Sequence, residues 1–279
     1  MEVSFCTSRE KLQDITVVLF DLDGTLIDTK GADREACYQV SRYLEIQGIK
    51  KNLAREITDK FYDYIRARPQ DPVKNRWDVD TWRTMIWAEA LGPKLKRYAA
   101  NCYNIWKQDR LEYINLTDDV VNMLVELRNR YKLGLITNGP SNAQWEKIKR
   151  IEGQKYFDII IVSDDWDVEK PDPAIFEIAF RNLDVSPKEC IMVGDKLSTD
   201  VEGGICAGVG ATIWCSTKDP WDTPEPKPDF IVADVSEIMD LLPKVRRKSL
   251  RSSRGNLLFP LSTDSVKFGN SSPLLGWRG

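Results

Sequence analysis

Asp21 and Asp23 stand one residue apart at the end of an apolar run, in VVLFDLDGTLIDTK. In extended chain, residues two apart point to the same side, so both carboxylates converge just past the strand that the run predicts. Two anions that close repel each other. They are tolerable if a cation sits between them or if one proton is shared, and an all-oxygen cluster suits Mg2+ better than a softer metal. Taken alone, the same residues also fit a surface turn with two solvated acids. The chain has no histidine, which removes the usual general base and the commonest transition-metal ligand together. Acid–base chemistry therefore falls to carboxylates, Lys, Tyr or Cys.

Three further strand ends carry polar groups. LGLITNGPSN closes a strand on Thr137, followed by Asn138, Gly139 and a helix beginning near Ser141. A hydroxyl and free backbone N–H groups there suit a phosphate, or form an ordinary helix cap. After IIIV, the loop SDDWDVEKPDP places Lys170 before Pro171, as an anion-neutralising cation or a surface charge. IMVGDKLSTD ends a strand at Gly194 and presents Asp195 and Asp200 around a loop, again open to reading as an acidic turn.

The elements that position these groups are short, unbroken apolar runs: Val17–Phe20, Leu133–Thr137, Ile159–Val162, Ile191–Val193, Ala211–Trp214 and Phe230–Val232. Most are separated by helix-like segments. In PDPAIFEIAFRNLDV, Asp172 caps the helix, Pro173 opens it, and Phe176, Ala179, Phe180 and Leu183 share one face. Alternating strand and helix with unbroken apolar strands predicts an α/β fold, a Rossmann-like parallel sheet sandwiched by helices, with ligands beyond the carboxyl ends of the strands. One connection breaks the rhythm. Between Lys30 and about Asn115 there are only helix-like stretches, which predicts an inserted all-helical unit over 30–115, a core of 1–29 and 116–243, and a tail of 244–279.

Four strand ends thus deliver DLDGTLID, LITNG, KPDP and VGDKLSTD in that order. This pattern, within about Thr16 to Leu242, resembles the haloacid dehalogenase-like superfamily of phosphohydrolases. The resemblance implies Asp21 as nucleophile, forming an aspartyl-phosphate, and Asp23 as the acid and base. It implies Mg2+ held by the Asp21 carboxylate, the Asp23 backbone carbonyl and the Asp195 carboxylate, with Asp200 in support. Thr137, the Asn138 and Gly139 backbone and Lys170 would bind the phosphoryl oxygens, and the helical insertion would be a cap that closes over the site. The resemblance further implies phosphate chemistry over dehalogenation, since the family's dehalogenases lack the second acid that Asp23 supplies here.

Within the cap, DTWRTMIWAEAL and NCYNIWKQDRLEYI extend the resemblance toward family members acting on a nine-carbon sialic acid phosphate. The substrate carboxylate would then pair with Arg83 or Arg110. Trp82, Trp87 and Trp106 would form a sugar-facing wall, or else the cap's own core. The segment RARPQDPVKNRWDV does not fit this closer pattern. Other readings stay open: a phosphatase for another small ester such as phosphoglycolate, a nucleotide or a sugar phosphate, a sugar phosphomutase, or a non-catalytic binding protein acting through its tail.

Composition bounds the rest. The chain of 279 residues has a formal net charge of -3. From Lys244 onward eight Lys or Arg stand against one Asp, so a tail of +7 follows a body of -10. KVRRKSLRSSR could bind a polyanion or direct nuclear import, but its composition is that of a solvated, disordered extension. No apolar run approaches the roughly 18 residues of a membrane span and the N-terminus lacks a secretory pattern, so the expected location is cytoplasmic, with no membrane partner and nucleic acid not expected as one. The six cysteines are scattered without metal or redox spacing and are expected to be idle thiols.

Overall fold

The computed structural model describes residues 10–68, 78–218 and 225–243. The basic tail, Cys6 and most of the segment that departs from the cap resemblance lie outside them. The core is one six-stranded sheet in the order β3-β2-β1-β4-β5-β6. Its strands are β1 (Val17–Phe20), β2 (Lys132–Thr137), β3 (Ile159–Val162), β4 (Cys190–Gly194), β5 (Ala211–Cys215) and β6 (Phe230–Val232), all parallel. The strand edges differ from the sequence expectation by one residue at most.

All four residues of β1 are buried, because a central parallel strand is covered on both faces. Val18 and Phe20 pack on one side with Leu124 and Leu127 of a helix over Asp118–Arg128, here α5. Val17 and Leu19 pack on the other with Phe176 and Phe180 of α7, Pro173–Leu183. Asp172 caps α7 by accepting from the Ala174 N–H at 2.9 Å, as its position before Pro173 predicts. Phe20 pairs with Leu135 on one side and Val193 on the other. Asp21, Thr137 and Asp195 therefore emerge together at the carboxyl edge, where the strand order reverses around β1.

Between β1 and β2 run four helices: α1 (Thr29–Ile46), α2 (Lys51–Ala67), α3 (Val79–Leu95) and α4 (Ala99–Tyr113). α3 is bent at Gly92, whose φ of 70° precedes Pro93. These helices share an apolar cluster of their own, built on Phe61, Trp87 and Trp106. The Trp87 ring stacks on Phe61 with centroids 3.7 Å apart, and Trp106 meets the same phenyl edge-on. Of the two readings open for these tryptophans, the cap's own core is the one that fits. Trp87 and Trp106 are fully buried cap core and Trp82 packs against it, because rings this large are worth most where they lose all their water. Among the described residues, no helix is long and apolar enough to cross a membrane.

Candidate active site

Lys170 organises the floor of the site. It is 2% exposed, and its Nζ lies 2.6 Å from Asp21 Oδ1, 2.8 Å from Asp200 Oδ1 and 2.6 Å from the Ile136 carbonyl. Burial opposes its charge, but Asp200 and Asp21 outweigh burial and push its pKa up to about 12. The loop holding it is fixed by Asn138. That side chain donates to the Lys170 carbonyl at 2.8 Å and accepts from the Lys170 N–H at 3.0 Å. Asn138 thus acts on Lys170 through its side chain, a role beyond the backbone one expected of it.

Thr137 is 1% exposed and its hydroxyl has no partner. A buried hydroxyl without a partner is costly unless a ligand completes it, so this group fits the expected phosphoryl contact. Gly139 is engaged differently in this structure: its N–H donates to Ser163 Oγ at 3.0 Å. Its φ of +127° favours glycine, and a Cβ there would meet the Gln144 amide at 2.9 Å.

Asp21 and Asp23 have opposite surroundings. Burial pushes the Asp21 carboxyl up to about 7; Lys170 pulls it down, and Asp200 opposes that pull. For Asp23 burial also acts upward, but Lys147, Thr29 and Gln144 together hold it far below the usual carboxylate range. Lys147 Nζ reaches both Asp23 oxygens, at 2.8 and 2.6 Å, Gln144 Nε2 donates to Oδ2 at 2.9 Å, and the Thr29 hydroxyl donates to Oδ1. Lys147 itself is 4% exposed, and burial lowers its pKa to about 8 although Asp23 opposes the shift.

Lys147, Gln144 and Thr29 were missed from sequence. Gln144 and Lys147 lie three apart on α6 (Ser141–Arg150), hence on one face. Lys147 carries no signal of its own in the sequence, since Lys149 and Arg150 follow it in the same last helical turn.

Asp21, Asp195 and Asp200 each offer a carboxylate oxygen within 4.8 Å of the others. Asp195 Oδ1 is buried without a hydrogen-bond partner, and burial raises its pKa, with Lys196 opposing and Asp200 adding to the shift. Two glycines let these acids close in. A Cβ at Gly24 would lie 2.4 Å from Asp195 Oδ2, and one at Gly194 only 2.2 Å from Asp200 Oδ2. Converging hard oxygens, one of them unsatisfied, fit a small divalent cation such as Mg2+. Asp200 belongs to this cluster directly, since Lys170 ties it to Asp21.

Above the floor sit the two cap arginines. Arg83 and Arg110 lie over the Trp106 ring, 5.3 and 5.1 Å from its centroid. Arg110 is buried and paired with Asp33 of α1. Arg83 Nε is buried and unpartnered, and desolvation together with Arg110 lowers its pKa. Both guanidiniums act electrostatically on Lys147, which places three cations in one neighbourhood where cap meets core. Lys107 of α4 ties that junction by reaching Glu146 of α6 at 3.0 Å and Asp80 of α3 at 3.1 Å.

A parallel sheet with this acidic, lysine-bridged edge and a helical cap defines a class, and the chain belongs to the haloacid dehalogenase-like hydrolase family, whose model matches residues 15–208. It is 38% identical to the N-acylneuraminate-9-phosphatase of Rattus norvegicus over 240 residues, covering 84% of this chain and 96% of that protein. The Homo sapiens N-acylneuraminate-9-phosphatase is 37% identical with the same coverage of both chains. Glyceraldehyde 3-phosphate phosphatase of Methanopyrus kandleri is 30% identical, over 82% of this chain and 97% of that one. Among solved structures, a HAD phosphatase from Thermococcus onnurineus is similar at a TM-score of 0.56 and 28% identity, covering 81% of this chain and 97% of its own. A 2-haloacid dehalogenase from Pseudomonas syringae shares the fold at a TM-score of 0.54 and 24% identity, over 81% and 97% of the two chains. One fold thus carries two reactions, and the site must decide between them.

Proposed function

We propose that this chain is a Mg2+-dependent phosphomonoesterase acting through Asp21, and that its substrate is N-acylneuraminate 9-phosphate. One observation carries the phosphatase reading: Lys170 bridges Asp21 and Asp200 beside the unpartnered Thr137 hydroxyl and Asp195 oxygen. Cationic, hydroxyl and metal-ligating groups then surround one phosphoryl position, which is what phosphoryl transfer requires.

Asp21 attacks phosphorus, forming an aspartyl-phosphate as the bond from phosphorus to the ester oxygen breaks. The departing oxygen takes a proton from the Asp23–Lys147 pair. Asp23 is held ionised at rest, and Lys147, 2.6 Å away, carries the proton of that pair. Water then attacks the acyl phosphate while Asp23 accepts its proton, releasing phosphate and restoring Asp21. Lys170 and Thr137 neutralise and orient the phosphoryl oxygens. A Mg2+ ion held by Asp21, the Asp23 carbonyl and Asp195, with Asp200 alongside, supplies further charge neutralisation when bound.

The sugar acid reading is supported by the similarity to N-acylneuraminate-9-phosphatases, which runs through the cap, and by the cations gathered there. Arg83, with a free buried Nε, and Arg110 and Lys147 beside it suit a carboxylate brought in by the substrate. Hydrolysis of a panel containing N-acylneuraminate 9-phosphate, glyceraldehyde 3-phosphate, phosphoglycolate, phosphoserine and nucleotides, with and without Mg2+, tests both parts. The expected result is Mg2+-dependent turnover with the sialic acid ester strongly preferred. Equal turnover of all esters overturns the substrate, and turnover unaffected by chelator overturns the metal.

A further inference from the structure

Away from the active site, α1 and α2 enclose a groove of about 390 Å³ lined by Arg34, Tyr38 and Ser41 of α1 and Arg55, Asp59 and Tyr62 of α2. That volume lies within the roughly 300–1,000 Å³ typical of small-molecule sites. Its floor is unfinished. Ser41 is 3% exposed and its hydroxyl has no partner, although a helical serine ordinarily bonds back to the carbonyl four residues earlier. An orphaned buried hydroxyl lining a groove is best explained by an occupant that completes it.

The walls specify the chemistry of that occupant. Among the described residues Arg34, Arg55 and Asp59 make no ion pairs. The Arg34 guanidinium lies over the Tyr62 ring, its Cζ 5.7 Å from the centroid, a cation–π contact that uses none of its N–H donors. Two guanidiniums across one groove suit a phosphate or carboxylate. Tyr38 is 52% exposed and offers a ring face to a flat group. Asp59, acceptor-only when ionised, suits hydroxyl or amino donors. We propose that this α1–α2 groove binds a small anion that carries a flat ring and hydroxyl groups, the chemistry of a nucleoside monophosphate.

The groove is distinct from the hydrolytic centre. Asp33 turns toward Arg110, whereas its neighbour Arg34 faces α2. Binding is therefore to be measured in the full chain carrying Asp21→Asn, which stops turnover of the probe. Calorimetric titration with AMP and CMP should show saturable binding, with inorganic phosphate or adenosine alone at least tenfold weaker. Arg34→Ala and Arg55→Ala should each weaken nucleotide binding about tenfold. Ser41→Ala should weaken it several-fold while leaving the melting temperature unchanged or higher, since the orphaned hydroxyl is gone; a merely structural serine would not alter binding. Nucleotide binding equal in parent and groove variants would place the ligand elsewhere and overturn the proposal, as would no binding by the parent up to millimolar concentration. Inorganic phosphate binding as tightly as AMP would overturn the flat-ring chemistry. None of these outcomes bears on whether Asp21 hydrolyses a sugar phosphate.

Discussion

Two buried lysines face two aspartates two residues apart, and the pairs have opposite electrostatics. On the core side, Lys170 serves Asp21 and Asp200 at once, so its proton is held more tightly while Asp21 is raised to about 7. On the cap side, Lys147 serves Asp23 alone, beside Arg83 and Arg110; its proton is loosened to about 8 and Asp23 is driven far down. The difference is one of stoichiometry. One ammonium between two carboxylates leaves an excess of anion for a metal ion to neutralise, whereas three cations, Lys147, Arg83 and Arg110, around two carboxylates, Asp23 and Asp33, leave one positive charge in excess for an anionic substrate. The Asp-Leu-Asp spacing sets the carboxylates side by side, and their neighbours give them the opposite electrostatics that the proposed nucleophile and proton carrier require.

The most severe way to break the core pair is Asp21→Asn, which keeps volume and removes the attacking charge. Turnover should fall by at least ~10³-fold with the melting temperature held or raised. Retained activity would end the covalent mechanism. Lys170→Met comes next. It leaves Asp21 and Asp200 facing each other in a buried site, and loss of one partner of a buried pair costs about 3–5 kcal/mol. Denaturant unfolding should show that loss in metal-free protein, with added Mg2+ recovering part of it. Stability within ~1 kcal/mol of the parent would show that Lys170 carries no such burden.

The core side was the legible side. Asp21 and Asp195 directly follow apolar runs and Thr137 ends one, and a parallel sheet brings such strand ends to one edge, while Lys170 and Asp200, further along their loops, joined them through the order of motifs that resembles the family. The cap side lacked that logic. Lys147 and Gln144 sit within a helix, where an inward face is set by tertiary packing, and Lys149 and Arg150 follow Lys147 in the same turn. Trp87 and Trp106 were ambiguous because ring and spacing are the same in a sugar wall and in a helical core; only the stacking on Phe61 decides. Asp33, partner of Arg110, lies 77 residues away and carried no local signal.

The cap cations can be separated from the core by substrate choice. Arg83→Ala should raise KM for N-acylneuraminate 9-phosphate about 10- to 100-fold, as expected for losing a charge-assisted contact worth ~1.4–2.8 kcal/mol. Hydrolysis of p-nitrophenyl phosphate, which has no carboxylate, should change less than about twofold. Arg110→Ala should do the same with an added loss of stability, because Asp33 is left unpaired near the interior. Equal losses on both substrates would move the arginines from recognition to scaffolding.

The gentlest test is a slope against pH. Asp21 is raised from 3.8 to about 7, so the folded protein binds this proton more tightly than the unfolded chain does. The stabilisation is fully present below about pH 4 and is lost as pH rises toward about 7. Asp23 has the reverse sign, but its folded form titrates well below 3.8, so its slope falls in acid; Asp195, also raised by burial, slopes with the sign of Asp21 but is present in both proteins, so comparison with Asp21→Asn isolates Asp21. In chelator, the melting temperature of the wild type should therefore drift down between pH 5 and 7, by a few degrees, relative to Asp21→Asn. Saturating Mg2+ should flatten the drift, since a cation favours the ionised carboxylate and undoes the effect of burial. A wild-type drift identical to that of Asp21→Asn would mean that Lys170 already neutralises Asp21, and that the excess of anion assigned to the core pair is absent.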